Sequence, residues 1–249
     1  MSQNFEGLVA AVTGGASGLG KAIADELAAR GATVYCLDLD AAAVGHPHTG
    51  IRCDIGDDDS VRAAIAEVVA GAGRLDVVVA NAGIGAQGDV SANDDAEWMR
   101  VLNVNVIGSA RTVRHALPHL EKSPAAAVVL TSSIAAWAGL PQRVLYSASK
   151  GAVSAMTLAM ATDFLPRGIR VNAVAPGTAD TPWVGRLLDT AADPNAERAA
   201  LESRQPSGRL VQPQEVAEAV AYLASPTSTS TNGVILAVDG GMYSLRPRR

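Results

Sequence analysis

Continuous apolar runs alternate along the chain with stretches in which apolar residues recur every three or four positions. Such runs are typical of strands buried on both faces of a parallel sheet, and the longer spacing is typical of helices that cover a sheet. The runs predict strands over residues 8–12, 33–38, 51–54, 75–80 and 126–130, and the intervening patterns predict helices that include residues 21–30 and 58–70. This alternation predicts an α/β fold with a doubly wound parallel sheet.

The alternation stops between Thr181 and Pro213. Helical spacing is predicted there up to residue 188 and again over residues 195–204, with Asp193-Pro194 between the two stretches. No shift to a linker-like composition divides the 249 residues, so we expect a single domain over residues 1–249.

Composition argues against several classes of function. The formal net charge of −5 disfavours a general nucleic-acid partner or an anionic membrane surface. The first residues form no targeting segment and no later apolar run is long enough to cross a membrane, so we expect a cytoplasmic protein. Cys36 and Cys53 fall in predicted buried strands and the four histidines are scattered, so we expect free thiols and no metal site.

A glycine-rich loop, Thr13-Gly-Gly-Ala-Ser-Gly-Leu-Gly20, joins the first predicted strand to the first predicted helix. Its glycines would allow a tight turn and close approach of a pyrophosphate, with the helix amides facing the phosphates. The second predicted strand ends at Asp38. A carboxylate there accepts a hydrogen bond from the 2′-hydroxyl of an adenosine ribose but repels a 2′-phosphate, unless Asp38 merely ends the strand. The pattern predicts a dinucleotide site that favours NAD over NADP.

Tyr146 and Lys150 lie four residues apart in a predicted helix, so their side chains share one helical face. An ammonium beside a phenol favours the ionised form, and we expect Lys150 to lower the pKa of Tyr146 below its usual value of about 10. Such a phenol can transfer a proton near neutral pH. Ser133, after the fifth predicted strand, is expected to hold the oxygen of a carbonyl or alcohol that faces Tyr146. Ser147 and Ser149 are expected on the helix surface.

From about residue 8 to residue 243 the chain resembles the short-chain dehydrogenase/reductase family. The resemblance is carried, in the family's order, by the glycine-rich loop, Asn81-Ala-Gly83, Ser133, Tyr146-Ser-Ala-Ser-Lys150, Asn172-Ala-Val-Ala-Pro-Gly177 and Val238-Asp-Gly-Gly241. It implies an oxidoreductase with a Rossmann-type fold, in which Tyr146 is the general acid/base and Ser133 orients the reacting oxygen. It also implies that Lys150 binds the nicotinamide ribose and that Asn105 holds a water-linked proton path.

The cofactor contacts expected from the resemblance and from the loop and strand patterns involve fifteen positions. They are Gly14, Ser17, Gly18, Leu19, Gly20, Asp38, Asp54, Ile55, Asn81, Gly83, Tyr146, Lys150, Pro176, Gly177 and Thr181.

Within this family the chain resembles a subgroup that acts on short hydroxycarboxylates, which includes cytosolic-type 3-hydroxybutyrate dehydrogenases and bacterial 2-keto-3-deoxy-sugar-acid dehydrogenases. This likeness lies in Arg143, Arg204 and the segment 176–183, and it implies a helical substrate lid over about residues 182–212. It further implies that Arg143 and Arg204 hold a substrate carboxylate, since guanidinium groups bind carboxylates through paired hydrogen bonds.

The substrate is then expected to lie between Ser133, Tyr146 and a wall formed by Trp183. Trp137 is a second candidate for this wall, and either tryptophan could instead be ordinary core packing. Arg186 is a third candidate clamp, although its spacing from the preceding motif differs by one from the subgroup's pattern. Each arginine could also be a solvated surface side chain.

The predicted function is NAD-dependent oxidation of a secondary hydroxyl on a short hydroxy acid, with a 2-keto-3-deoxy-L-sugar acid (at C4) and 3-hydroxybutyrate as candidates. One alternative is a 3-oxoacyl or general ketone reductase, which would favour NADPH and a basic residue near position 38, where Asp38 stands. Another is a non-catalytic NAD-sensing protein on the same fold. The family tends to form homotetramers, and the predicted helix over residues 151–165 could supply an interface.

Overall fold

The computed structural model describes residues 4–189 and 191–247. Met1–Gln3, Thr190, Arg248 and Arg249, which fall within the expected domain or lid, lie outside the described residues. The strands are β1 (Val9–Thr13), β2 (Thr33–Asp38), β3 (Thr49–Arg52), β4 (Val77–Ala80), β5 (Ala127–Thr131), β6 (Arg170–Pro176) and β7 (Ile235–Val238). The α-helices are α1 (Gly18–Ala29), α2 (Asp58–Ala72), α3 (Asp95–Leu102), α4 (Ser109–Leu120), α5 (Val144–Phe164), α6 (Pro182–Asp189), α7 (Pro194–Ser203) and α8 (Pro213–Ala224).

All seven strands pair in parallel, in the order β3-β2-β1-β4-β5-β6-β7. The chain adds strands outward from β1 to β3 and then crosses back to the other side of β1. Connections from β1 and β4 therefore leave in opposite directions, and a crevice opens at the carboxyl ends of these strands. The predicted doubly wound parallel sheet is confirmed.

Helices cover both faces of the sheet. Val9 and Ala11 of β1 face a core shared with α2, α4 and α5, while Ala10 and Val12 face a second core shared with α1 and α8. Because both faces are covered, β1, β4 and β5 are buried at every position. This burial explains why their sequences are continuous apolar runs.

Strand boundaries differ slightly from the predicted ones. The first and fifth strands begin and end one residue later than predicted, because Thr13 and Thr131 also pair with their neighbours in the sheet, and the fourth begins at Val77 rather than at residue 75. The third predicted strand is wrong at its end, since β3 stops at Arg52 and leaves Cys53 and Asp54 in the segment that follows. Their place beyond the strand end brings these two residues to the crevice.

The two cysteines are free and buried. Burial raises the pKa of the Cys36 thiol to about 12 and that of Cys53 to about 11, so both are protonated at neutral pH. The described residues contain no cluster of three or more histidine, cysteine, aspartate or glutamate side chains arranged for a metal ion. Within that same part of the chain, no helix combines the length and apolarity needed to cross a membrane.

Helices α6 and α7 form the predicted excursion between β6 and α8. They enclose a small apolar core formed by Val184, Leu201 and Leu210. The two ends of the excursion meet where Ala179 pairs with Val211 in a parallel bridge. The Val211 amide donates to the Thr178 carbonyl at 2.9 Å, and the Asp180 amide donates to the Val211 carbonyl at 2.8 Å. The lid is therefore closed at its base by backbone hydrogen bonds.

Candidate active site

Three positions of the glycine-rich loop favour glycine, two through backbone conformation and one through lack of space for a side chain. Gly14 and Gly18 have φ values of +67° and +55°, which favour glycine. A Cβ on Gly20 would lie 1.9 Å from the Gly14 carbonyl oxygen, so only glycine lets α1 approach the loop this closely. The first amides of α1 then open on the crevice, as a pyrophosphate site requires.

Asp38 lies at the carboxyl end of β2, on the rim of the crevice. Its Oδ2 accepts a hydrogen bond from the Ala16 amide at 3.0 Å, and its Oδ1 accepts one from the Asp40 amide at 3.1 Å. These contacts fix the carboxylate beside the glycine-rich loop. Each oxygen keeps acceptor capacity for a further donor, such as a ribose hydroxyl.

A hydrogen-bond network connects the ends of β1, β4 and β5, and the sequence analysis did not assign a role to its threonine members, Thr13 and Thr131. The Thr13 hydroxyl accepts from the amides of Asn81 and Ala82, both at 3.0 Å, and donates to the Val79 carbonyl at 3.3 Å. The Asn81 side-chain amide donates to the Thr13 carbonyl at 3.0 Å, and its oxygen accepts from the Thr131 hydroxyl at 3.2 Å. The side chain of Asn81, an expected cofactor contact, is therefore occupied by hydrogen bonds that join the ends of these strands beside the crevice.

Asn105 lies in a π-helical stretch, Asn103–Gly108, between α3 and α4. Its Oδ1 accepts from the Ile84 amide at 2.8 Å, while its Nδ2 donates to the Ile84 carbonyl at 2.9 Å and to Ser149 Oγ at 3.0 Å. Ser149 in turn donates to the Tyr146 carbonyl at 2.7 Å. The expectation that Ser149 lies on the helix surface is wrong, because the residue is fully buried and links Asn105 to the helix that carries Tyr146.

Lys150 is buried in the wall of the crevice. Its Nζ donates to the Thr131 carbonyl at 2.8 Å and lies 5.8 Å from the centroid of the Tyr146 ring. Burial lowers the pKa of Lys150 to about 8. Ser133 Oγ, nearby, accepts from the Ala135 amide at 3.1 Å.

The expectation that Lys150 lowers the Tyr146 pKa is wrong for this structure. Burial raises the pKa of Tyr146 above its usual value, and this effect outweighs the Ser133 hydrogen bond and the Arg143 charge, which act in the opposite direction. Helical spacing identified neighbours correctly, but it contains no information on how completely water is excluded from the phenol.

Arg143 precedes α5 and points toward the lid. Its Nη1 donates to the Ala86 carbonyl at 3.2 Å. Burial lowers the pKa of Arg143, and the nearby positive charge of Arg204 lowers it further. Among the described residues, neither Arg143, Arg204 nor Arg186 forms an ion pair with a carboxylate. A partly desolvated pair of like charges favours binding of an anion.

The two candidate tryptophans have different surroundings. Trp183 of α6 lies over Gly85, where an added Cβ would be 2.8 Å from the indole ring. Trp137 instead packs against Tyr243, with ring centroids 4.8 Å apart, and does not line the crevice. Trp183 therefore forms part of the wall, whereas Trp137 supports the C-terminal segment.

One cleft of about 630 Å³ collects these groups. Of the predicted site residues, Asn105 alone lies behind its wall, and all the others line it: Gly14, Ser17, Gly18, Leu19, Gly20, Asp38, Asp54, Ile55, Asn81, Gly83, Ser133, Arg143, Tyr146, Lys150, Pro176, Gly177, Thr181, Trp183 and Arg204. Arg186 also lines the cleft. Sequence reasoning missed several apolar lining residues, namely Ile84, Ala86, Ile134, Ala135, Leu140, Val184, Leu187 and Leu201.

Comparison with known proteins places the chain among oxidoreductases. The family described as enoyl-(acyl carrier protein) reductase matches residues 14–243. Cis-4-hydroxycyclohexanecarboxylate dehydrogenase of Sinomonas cyclohexanicum is 43% identical over 251 residues, covering 97% of this chain and 98% of the relative.

Two solved structures share the whole fold. Aldohexose dehydrogenase of Thermoplasma acidophilum superposes with a TM-score of 0.94 at 31% identity, covering 100% of this chain and 99% of the other. The 3-ketoacyl-(acyl-carrier-protein) reductase of Brucella melitensis, solved with NADH, superposes with a TM-score of 0.88 at 33% identity, covering 96% and 99%. Each likeness extends over nearly the full length of both chains.

Proposed function

The chain belongs to the short-chain dehydrogenase/reductase family, and on that premise we propose that it is a NAD-dependent dehydrogenase of small hydroxycarboxylates. Members of this family are oxidoreductases that act on CH–OH groups with nicotinamide cofactors. The observation that carries the finer proposal is the placement of three groups in one cleft. They are the glycine-rich loop with Asp38, the Ser133–Tyr146–Lys150 group, and the arginines Arg143 and Arg204.

The residues of the cleft fit a dinucleotide. The glycine-rich loop offers amides and a surface without side chains to the pyrophosphate, and the Asp38 carboxylate offers acceptors to an adenosine ribose. A 2′-phosphate would meet the negative charge of Asp38, which supports NAD over NADP. A bound nicotinamide would supply the hydride acceptor, the two-electron oxidant that converts the alcohol to a ketone.

Residues of the chain itself accept the proton that the alcohol loses on oxidation. Tyr146 takes the hydroxyl proton of the alcohol, and Ser133 holds the same oxygen by a hydrogen bond. Lys150 lies beside the Tyr146 ring, where its ammonium would bind the nicotinamide ribose, and the Thr131 carbonyl fixes that ammonium in place. The Asn105–Ser149 contacts hold the start of α5 in register with this group.

Arg143 and Arg204 are proposed to bind the substrate carboxylate, with Arg186 as a further donor on the lid. The mutual repulsion of Arg143 and Arg204 is relieved when an anion lies between them, so the pair discriminates acids from neutral alcohols. The 43% identical relative acts on a ring hydroxy acid, which supports this class. Candidate substrates are cis-4-hydroxycyclohexanecarboxylate, 2-keto-3-deoxy-L-sugar acids and 3-hydroxybutyrate.

The test is NADH formation by the purified protein with NAD, using these acids and matched neutral alcohols, and repeated with NADP. We expect turnover of acids with NAD. Arg143→Ala and Arg204→Ala should each raise KM for the acid about ten- to hundredfold, because a charge-assisted hydrogen bond contributes about 1.5–3 kcal/mol. Arg62→Ala, which removes an exposed arginine on α2, is the matched control and should leave KM unchanged.

Three outcomes would contradict the proposal. Equal turnover of acids and neutral alcohols would remove the carboxylate from the substrate class. Turnover of 3-oxoacyl thioesters with NADPH in preference to hydroxy acids with NAD would favour the reductase alternative. Binding of NAD without turnover of any alcohol would favour a non-catalytic sensor.

A further inference from the structure

The cleft beside Tyr146 provides charge and apolar surface but few acceptors for hydroxyl groups. We propose that the part of the substrate between its carboxylate and its reacting carbinol is hydrocarbon. The enzyme would then act on alicyclic or short aliphatic hydroxy acids and discriminate against polyhydroxylated sugar acids. This inference rests on the proposed function and narrows its substrate class.

One wall of the substrate end is an apolar cluster beneath the catalytic tyrosine. Ala86, Val101 and Leu145 are buried together, and Ile84, Trp98 and Tyr146 pack against them. Ile84 and Ala86 of this cluster line the cleft. The Tyr146 ring thus packs against apolar side chains, and Ile84 and Ala86 of the same cluster form the apolar surface of the cleft beside its hydroxyl.

The opposite wall is the lid. Val184 and Leu201 belong to the small core of α6 and α7, and together with Leu187 they also line the cleft. Trp183 lies over the backbone at Gly85 and continues this wall towards the glycine-rich segment after β4. Leu140, in the loop between Ser133 and α5, completes the apolar lining.

The polar side chains at this end already have partners or roles. Ser133 and Tyr146 are assigned to the reacting oxygen, and the arginines to the carboxylate. Ser132, which lines the cleft, donates to the Lys150 carbonyl at 3.0 Å and shares a hydrogen bond with Ser154 at 2.7 Å.

The threonines do not supply hydroxyl partners either. Thr131 donates to Asn81, and Thr178 and Thr181 follow β6 in the segment whose residues Pro176, Gly177 and Thr181 are expected to contact the cofactor.

Carboxylates are the strongest acceptors for sugar hydroxyls, and those that line the cleft are far from this end. Glu197 of α7, whose charge acts on Arg143, is not among the lining residues. The described residues that line the cleft include two carboxylates, Asp38 at the end of β2 and Asp54 after β3. Ser133 follows β5, and three strand spacings, roughly 14 Å, separate β5 from β2 in the sheet order. A substrate held at Tyr146 and Arg143 therefore reaches neither carboxylate.

Additional hydroxyls on the substrate would lose water without gaining acceptors. A buried hydroxyl without a hydrogen-bond partner weakens binding by roughly ten- to a hundredfold. A methylene at the same place gains from contact with Leu140, Leu201 and Trp183. Both effects favour the hydrocarbon acid.

A matched pair of ring acids tests the proposal. Cis-4-hydroxycyclohexanecarboxylate and quinate share the ring and the carboxylate, but quinate carries additional ring hydroxyls. With NAD, we expect kcat/KM to be about a hundredfold higher for the hydrocarbon acid. 3-Hydroxybutyrate against a 2-keto-3-deoxy-L-sugar acid gives the same comparison for open chains.

A binding measurement separates recognition from turnover. Calorimetric titration of the NADH-saturated protein with cyclohexanecarboxylate, which cannot react, should show binding with a negative heat-capacity change, the mark of apolar burial. Quinate should bind at least about tenfold more weakly.

Leu140→Asn adds an amide to the apolar lining and tests the wall directly. We expect kcat/KM for the hydrocarbon acid to fall about tenfold, because an apolar contact is lost, while that for quinate stays constant or rises. Leu165→Asn makes the same change at a position that is 65% exposed and outside the cleft, and should alter neither value. The melting temperatures of both variants check that they remain folded.

The outcomes separate the two claims. If quinate or the sugar acid is the better substrate, or if Leu140→Asn lowers kcat/KM for both ring acids equally, the hydrocarbon inference is overturned and the hydroxy-acid dehydrogenase stands. If no acid in the panel is oxidised with NAD, the proposed function fails, and the inference fails with it.

Discussion

Tyr146 and Lys150 both lie where water is largely excluded, and this exclusion sets their protonation. Burial raises the pKa of the phenol and lowers that of the ammonium to about 8. The phenol is therefore protonated at neutral pH, and oxidation of an alcohol, which needs the phenolate, should speed up as the pH rises.

Tyr146→Phe removes the proton acceptor and keeps the ring that packs against Ile84 and Trp98. We expect kcat to fall about a hundredfold to ten-thousandfold, with NAD affinity unchanged, because general acid–base transfer contributes about that much. The measurement is kcat across pH 7 to about 9, where the wild-type rate should rise and the variant's residual rate should not. Tyr222→Phe, at an exposed tyrosine on α8, is the control. Normal turnover by Tyr146→Phe would refute the proposed acid–base role.

Lys150 makes the stability of the fold depend on pH. Its pKa is 10.5 for a solvated lysine and about 8 in the fold, so between these values the unfolded chain binds more protons and the free energy of unfolding rises with pH. Below pH 8 both states hold the proton, and the full cost of the buried ammonium is present.

Lys150→Met should abolish this increase, which is on the order of 1–3 kcal/mol. Urea unfolding at pH 8 and at about pH 10 measures it, with Lys122→Met at an exposed site as the control. If Lys150→Met retains the wild-type increase, the pH dependence has another source.

At the scale of elements, α5 carries more than the catalytic side chains. Its outer surface presents an apolar stripe with helical spacing, formed by Val144, Ala148, Gly151, Ala155 and Leu158. Val144 is 42% exposed and Leu158 is 50% exposed, which is unusual for a helix whose other side is fully buried. We propose that this stripe is a contact between copies of the chain in a homotetramer.

Ala155→Glu places a charge at the centre of the stripe and should dissociate the assembly into smaller species, because desolvating an unpaired carboxylate opposes association. Light scattering coupled to size exclusion gives the mass. Ala63→Glu introduces the same charge at an exposed position on α2 and should leave the mass unchanged. An unchanged mass for Ala155→Glu would exclude the stripe from the interface.

Elements that are determined by a local sequence pattern could be predicted, whereas features that depend on contacts between distant residues could not. Buried parallel strands and the loop after β1 have sequence signatures of their own, so β2 was predicted at its observed bounds and Gly14 and Gly20 were placed correctly. Arg143, Trp183 and Arg204 were predicted for the substrate end, but its apolar lining was not. Leu140, before α5, and Leu201, in the lid, are distant in sequence and reach the same cleft only through the tertiary fold, which no local pattern encodes.

At the scale of the whole molecule, a cofactor that binds in the crevice between β1 and β4 raises the free energy of unfolding, so thermal stability reports which cofactor binds more tightly. A ligand that binds the folded chain at about a hundred times its Kd adds about 2.7 kcal/mol. For a chain of this size we therefore expect saturating NAD to raise Tm by about 5–10 °C. NADP at the same concentration should raise it less, and Asp38→Asn should narrow the difference. An equal or larger shift with NADP would contradict the assignment of NAD, independently of any turnover.

The bridge between Ala179 and Val211 has a consequence for how the protein can change. Because the two ends of the lid are joined next to each other, the intervening residues leave the main body of the fold after β6 and rejoin it before α8 at one point. Lengthening or exchanging such a segment adds little closure entropy, about 0.6 kcal/mol for a doubling in length. Replacing this segment with that of a relative is therefore a way to change the substrate preference while the catalytic residues stay the same, both in evolution and in protein engineering.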